Sequence, residues 1–315
     1  MNILTKMPLH EDDIKQLEQL GDFHIYTDES LPKDLESKVD IIYGWSPKAA
    51  QILHGTNQVK YIQTYSAGVD YLPIKQLVRD KVLVANSSGI HGEVIGESVL
   101  GYLLSFGRGI HSAERASYNK QWHHQEIRAN LFTLTNKVAL IYGTGHIGSA
   151  ISQMLQRFGV KTVGVHRHSN QVAAFDETIK NENAHTKLSQ VDFVINTLPL
   201  TKETTHMFNA AFFKQMSTDG IFINVGRGGS VDTDGLYQAL EQHQIKGAAL
   251  DVVEEEPLAI DSKLWELSNL IITPHVSGTV PHLRREMFKI FYPNLKSFLD
   301  NQTLTINQVD LENGY

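Results

Sequence analysis

Three residues follow apolar runs, and each is of a type that does anion or acid–base chemistry. Arg227 comes after Ile223-Asn224-Val225-Gly226 and before Gly228-Gly229. Its guanidinium fork can hold a carboxylate through two parallel hydrogen bonds, which a lysine does less well. Glu256 closes the run Glu254-Glu255-Glu256 and precedes Pro257, which restricts its backbone more than its neighbours'. His275 sits on the short tether Ile271-Ile272-Thr273-Pro274. The chain has 15 histidines, so an arbitrary one is inert, and position at a strand end is what singles this one out. Taken singly, Arg227 reads equally well as a structural ion-pair residue and His275 as a capped loop residue. Their order along one α/β series points to chemistry, because ligands of open α/β sheets bind at the carboxyl ends of strands.

A second constellation precedes them. Gly143-Thr144-Gly145-His146-Ile147-Gly148 matches G-x-G-x-x-G. It lies between the apolar run Val138–Tyr142 and an amphipathic segment, the context such a loop needs. Gly143 permits the tight turn, Gly145 the approach of a pyrophosphate, and Gly148 close helix–strand packing. The N–H groups of the helix start then take the phosphate charge. A ligand-free strand-to-helix turn is the alternative. About 20 residues on, an NAD site usually carries an acidic residue for the ribose 2′-hydroxyl. This chain has Val165-His166-Arg167-His168-Ser169 there, and no Asp or Glu from Val160 to Phe175. Arg167 can pair with a 2′-phosphate, and His168 and Ser169 can add donors. The expected cofactor is NADP(H), with NAD(H) possible if Arg167 is only a solvated cation.

The elements around these residues alternate between short apolar runs and amphipathic stretches. Strands are expected at Met1–Lys6, Phe23–Tyr26, Asp40–Tyr43, Tyr61–Thr64 and Lys81–Val84, with helices at Glu11–Leu20 and Ile74–Val78. A stronger series follows, with strands at Lys137–Tyr142, Thr162–Val165, Phe193–Thr197, Ile221–Val225, Ala248–Val253 and Leu270–Thr273, and a helix over Ile147–Phe158. Such alternation predicts parallel sheets with crossover helices. Glu93–Asn119 reads as one long helix, either a bridge between domains, a subunit contact or an ordinary core helix. The last helical stretch, Pro281–Leu299, has no sheet of its own and can return to complete the first domain.

At roughly 150 residues per domain, 315 residues predict about two domains. Lys and Arg total 28 against 35 Asp and Glu, a formal charge of −7, which argues against a nucleic-acid surface. Cysteine is absent, which removes disulfides, thiolate metal sites and a cysteine nucleophile. His123-His124 and His166-x-His168 have weak metal-ligand spacing without a carboxylate frame, so no metal is expected. No apolar run is long enough for a membrane span, and Met1–Lys6 lacks the features of a signal peptide, so the expected location is the cytoplasm. Hydrolase motifs such as G-x-S-x-G, a Walker loop or H-E-x-x-H do not occur.

With these motifs in order, the chain resembles the D-isomer-specific 2-hydroxyacid dehydrogenases, closest to the NADPH-preferring glyoxylate/hydroxypyruvate reductase branch. Ser66-Ala67-Gly68-Val69-Asp70 resembles the family's substrate loop, and Asn196–Thr204 its cofactor-pocket strand end. The resemblance implies a fold of two doubly wound, Rossmann-like parallel-sheet domains. The substrate domain, residues 1–97 with 280–315, is formed from both chain ends, and residues 98–279 bind the dinucleotide. It implies Arg227, Glu256 and His275 as catalytic residues. Ala67, Gly68 and Val69 join Arg227 and His275 at the substrate. Leu198, Pro199, Thr204, Val225, Gly226, Asp251 and Ser277 join the glycine loop and His166–His168 at the cofactor. It implies hydride transfer between NADP(H) and a small 2-oxo or 2-hydroxy acid, with His275 as proton donor in reduction and Glu256 orienting it. It also implies a homodimer through 93–119. His166 departs from the pattern, since NAD-using members commonly carry Asp there. The competing expectation is a dinucleotide-sensing regulatory protein on the same fold, which a turnover assay separates.

Overall fold

The computed structural model describes residues 1–167 and 171–311. It divides into two compact units, one of Met1–His91 with Val280–Tyr315 and one of Gly92–Thr279. In the first, β1 (Asn2–Thr5), α1 (Glu11–Glu18), β2 (His24–Thr27), β3 (Ile41–Tyr43), α2 (Pro47–His54), β4 (Tyr61–Gln63), α3 (Ile74–Arg79) and β5 (Leu83–Ala85) follow in order. All five strands are parallel, in the order β2-β1-β3-β4-β5. Alternate residues of β1 face opposite sides, Leu4 into one apolar cluster and Ile3 into another. That is the period-2 rule applied to a strand buried on both faces.

The second unit opens with α4 (Gly92–Gly107), α5 (Ile110–Tyr118) and α6 (His124–Ala129). Then come β6 (Val138–Tyr142), α7 (His146–Arg157), β7 (Lys161–His166), β8 (Glu177–Lys180), α8 (Asn181–Ala184) and β9 (Phe193–Asn196). It closes with α9 (Ala210–Phe213), β10 (Ile221–Asn224), α10 (Thr233–Glu241), β11 (Gly247–Leu250) and β12 (Leu270–Ile272). The seven parallel strands run β12-β11-β10-β9-β6-β7-β8. Along β6, Leu140 and Tyr142 pack on one face, Ala139 and Ile141 on the other. The chain then returns to the first unit with α11 (Leu283–Asn301). Among the described residues no helix is long and apolar enough to cross a membrane.

Three sequence expectations are corrected. The expected helix Glu93–Asn119 is two helices, broken at Gly109, which takes the left-handed conformation at φ +65°. The strand β8 was missed because Glu-Thr-Ile-Lys is polar, as suits an edge strand. Several strands end earlier than expected. Thr64, Thr197, Val225 and Thr273 lie just beyond β4, β9, β10 and β12 and begin the loops that carry the candidate residues.

Candidate active site

Because every strand of the seven-stranded sheet is parallel, all carboxyl ends lie on one edge. The strands β10, β11 and β12 are neighbours there, and they lead into Arg227, Glu256 and His275 respectively. The chain order reverses between β6 and β9, the switch point where dinucleotides bind in such sheets.

Arg227 is half-buried, and its backbone is held by amides that the sequence reading passed over. The strands β9 and β10 both end in asparagine, and Asn196 and Asn224 are register partners with no exposed surface. Asn196 donates to Asn224 Oδ1 at 2.9 Å and to Ser230 Oγ at 2.8 Å. Asn224 in turn donates to the Arg227 carbonyl at 3.1 Å, and Ser230 donates to it at 2.6 Å. Their exchange of bonds fixes the turn from which the guanidinium projects. Gly228 has a separate role, since a Cβ there would lie 1.8 Å from the Val253 carbonyl oxygen. Only glycine lets the Arg227 turn meet the loop that leads to Glu256.

His275 occupies the left-handed region at φ +55°. Its N–H donates to the carbonyls of Asp251 at 2.8 Å and Thr273 at 3.0 Å. Its Nδ1 lies 2.7 Å from Glu256 Oε2. Among the described residues nothing bonds to Nε2, the nitrogen left to carry a mobile proton. Asp251, 2% exposed, is the anchor of this loop. Its Oδ1 accepts from Thr273 Oγ1 at 2.6 Å and from the Val276 N–H at 3.0 Å, and its Oδ2 from Ser277 Oγ at 2.5 Å. Asp251 and Ser277, expected at the cofactor, thus bond to each other. A second histidine–carboxylate pair joins His206, in the segment after β9, to Glu254, two residues before Glu256, at 2.5 Å. Burial is the largest single influence on the Glu254 carboxyl and raises it, but the hydrogen bonds from Thr233 and His206 together outweigh burial and hold the group below its usual range.

The glycine loop fits a dinucleotide. A Cβ at Gly145 would meet nothing within 4 Å, whereas one at Gly148 would lie 2.0 Å from the Gly143 oxygen. Gly148 therefore serves packing, and Gly145 faces open space where α7 begins. Thr144 and Ile147 are half-buried, while Gly145 and His146 are exposed. His166 ends β7 and is half-buried, Arg167 follows exposed, and His168 lies outside the described residues. Leu198 and Pro199 follow β9, with the Leu198 N–H on Asn196 Oδ1 at 2.9 Å. The buried Thr204 donates to the Pro199 carbonyl at 2.7 Å. Val225 and Gly226 are buried just beyond β10. Among the described residues no three His, Asp or Glu converge as a metal site.

The first unit presents a different device beyond β4. Every carbonyl from Ser66 to Val69 is taken. Ser66 O accepts from Thr64 Oγ1 at 2.9 Å, Ala67 O from Asn86 Nδ2 at 2.8 Å, Gly68 O from Ser66 Oγ at 2.7 Å and Val69 O from the Leu72 N–H at 3.0 Å. Among the described residues the N–H groups of Ala67, Gly68 and Val69 donate to nothing. With carbonyls turned into the protein, the turn offers donors to an anion. Asn86 is the residue missed here. Its N–H donates to the Asn307 carbonyl, and its own carbonyl accepts from Gln63. The signal was an amide side chain directly after an apolar strand, the same one that β9 and β10 carry.

Comparison with known proteins agrees with this layout. Residues 100–277 match the model of the D-isomer specific 2-hydroxyacid dehydrogenase, NAD binding domain. Glyoxylate/hydroxypyruvate reductase B of Escherichia coli is 31% identical over 255 residues, 78% of this chain and 76% of that protein. The structure of phosphoglycerate dehydrogenase from Lactobacillus plantarum is 38% identical, with a TM-score of 0.60 over 98% of this chain and 100% of that one. A D-isomer specific 2-hydroxyacid dehydrogenase from Xanthobacter autotrophicus, solved with NADPH and MES, is 25% identical, with a TM-score of 0.81 over 100% of this chain and 99% of that one. The chain belongs to the D-isomer specific 2-hydroxyacid dehydrogenase family and is an NAD(P)-dependent dehydrogenase.

Proposed function

We propose that the enzyme reduces a small 2-oxo acid of the glyoxylate or hydroxypyruvate kind, with NADP(H) favoured over NAD(H). The observation that carries this reading is the His275–Glu256 hydrogen bond at a sheet edge that also presents Arg227. When bound, the reduced nicotinamide supplies a hydride to the keto carbon. Arg227 binds the substrate carboxylate and polarises the keto oxygen. The amides of Ala67, Gly68 and Val69 add donors for the carboxylate. His275 gives the Nε2 proton to the oxygen as the 2-hydroxy acid forms, and Glu256 fixes the ring through Nδ1. Gly143–Gly148 and the start of α7 hold the pyrophosphate. Leu198, Pro199, Thr204, Val225 and Gly226 line the remaining cofactor path. Asp251 and Ser277 serve that path by holding the His275 loop.

Arg167 supports the cofactor preference, because the sequence from Val160 to Phe175 carries no Asp or Glu to repel a 2′-phosphate. A homodimer through residues 93–119 is part of the same reading. It is supported by the exposed Ile110 and Tyr118 and by Trp122 just beyond, 92% exposed. Light scattering of the purified protein tests it, a monomer at micromolar concentration being the contrary result. The activity test is oxidation of NADPH and of NADH with glyoxylate, hydroxypyruvate, pyruvate and longer 2-oxo acids. Fastest turnover with NADPH on the two smallest acids is expected. No turnover on any acid would reject the reading, and preference for NADH would reject the role of Arg167.

A further inference from the structure

One buried tyrosine lies outside the machinery just described yet is wired to it. Tyr102, on α4, is 7% exposed. Its hydroxyl lies 2.6 Å from Thr273 Oγ1, which donates to Asp251 Oδ1 at 2.6 Å. The direction of both bonds is fixed. The Asp251 carboxylate only accepts, so the Thr273 proton points to it. Thr273 Oγ1 then has only lone pairs left, so Tyr102 must donate. Burial pushes the Tyr102 phenol above its ordinary range; the hydrogen bond with Thr273 works against this and the nearby Asp251 charge adds to it, so the phenol keeps its proton as a donor.

The chain ends where the candidate proton donor begins. Asp251 receives Thr273, Val276 and Ser277, which flank His275 on both sides. His275 itself stands in a left-handed conformation that a side chain of its size does not choose unaided. Without a donor to Thr273 Oγ1, the threonine hydroxyl can rotate away from Asp251, and the clamp on the N-terminal side of His275 loosens.

We propose that Tyr102 is a positioning residue for His275. Through Thr273 and Asp251 it holds the loop Thr273–Ser277 in the geometry that presents the imidazole. This rests on the reading of His275 as the proton donor. The test uses the full-length enzyme and Y102F, T273V and the double variant, with whichever of NADPH or NADH supports turnover. Y102F removes one oxygen and keeps the ring that packs in the core. For Y102F, kcat is expected to fall by about tenfold, inside the ~100-fold that a 1 Å misplacement can cost. The dissociation constant of the reduced cofactor, read by fluorescence, stays unchanged. T273V produces a fall at least as large, and the double variant is no slower than T273V, because both act through one bond. The solvent deuterium isotope effect on kcat rises in Y102F as the proton step becomes more limiting. A tyrosine that merely packs gives a lower melting temperature with kcat and the isotope effect untouched, and that result overturns the proposal. Fully additive losses in the double variant overturn it as well. H275N is the control that separates the two readings. If H275N keeps wild-type turnover, the assignment of His275 fails. If H275N is inactive and Y102F is normal, only the role of Tyr102 fails.

Discussion

The two functional loops solve opposite problems with the same kind of support. The loop after β4 offers backbone: its carbonyls are tied inward by Thr64, Ser66 and Asn86, and its amides are left outward. The loop after β12 offers one side chain: its amides are tied inward to Asp251, and the imidazole is left outward. One is suited to a fixed negative charge and the other to a proton that moves. In each case a polar side chain does the holding, half-buried Asn86 in the first and buried Asp251 in the second, and its removal leaves a partner unpaired at a cost of about 1–3 kcal/mol.

The contrast can be broken at three places and the cofactor preference at a fourth, taken from the largest expected effect to the smallest. H275N removes the side chain proposed as the proton donor, and kcat for 2-oxo acid reduction should drop about 1,000-fold, within the range of a positioned acid. Cofactor binding, followed by fluorescence, should survive. N86A frees the Ala67 carbonyl, and KM for the keto acid should rise about tenfold, the equivalent of one lost hydrogen bond at ~1.4 kcal/mol. The cofactor KM should not move, and if it does, Asn86 supports more than the anion loop. R167A should shrink any NADPH preference by about tenfold, as expected for one charge-assisted pair. Its measure is the ratio of kcat/KM for NADPH and NADH. A67S should change kcat/KM by no more than about twofold, because the first loop works through main chain that a serine leaves in place. A large loss in A67S would mean the side chain, not the amide, is what matters there.

Much of this was legible in residue order. The glycine loop carried its own context, and the structure separates open Gly145 from packed Gly148 as the spacing implied. The positions of Arg227, Glu256 and His275 followed from apolar runs that end in charged or imidazole side chains. What escaped was the buried polar support. Asn196, Asn224 and Asn86 read as ordinary loop residues, because an amide next to an apolar strand is equally a turn former. Asp251 and Tyr102 are linked by hydrogen bonds through Thr273, and contacts between residues so far apart in sequence leave no local pattern. The break at Gly109 escaped for the opposite reason, since a glycine within an apolar helical pattern is tolerated as often as it ends a helix.

The most direct measurement concerns Arg227, whose guanidinium is assigned to the substrate carboxylate. R227A is assayed for glyoxylate reduction with and without added guanidinium ion, alongside its cofactor dissociation constant. The expected result is normal cofactor binding, turnover reduced about 100-fold or more as for other lost charge-stabilising groups, and partial recovery by guanidinium. Wild-type turnover by R227A without guanidinium would contradict the account.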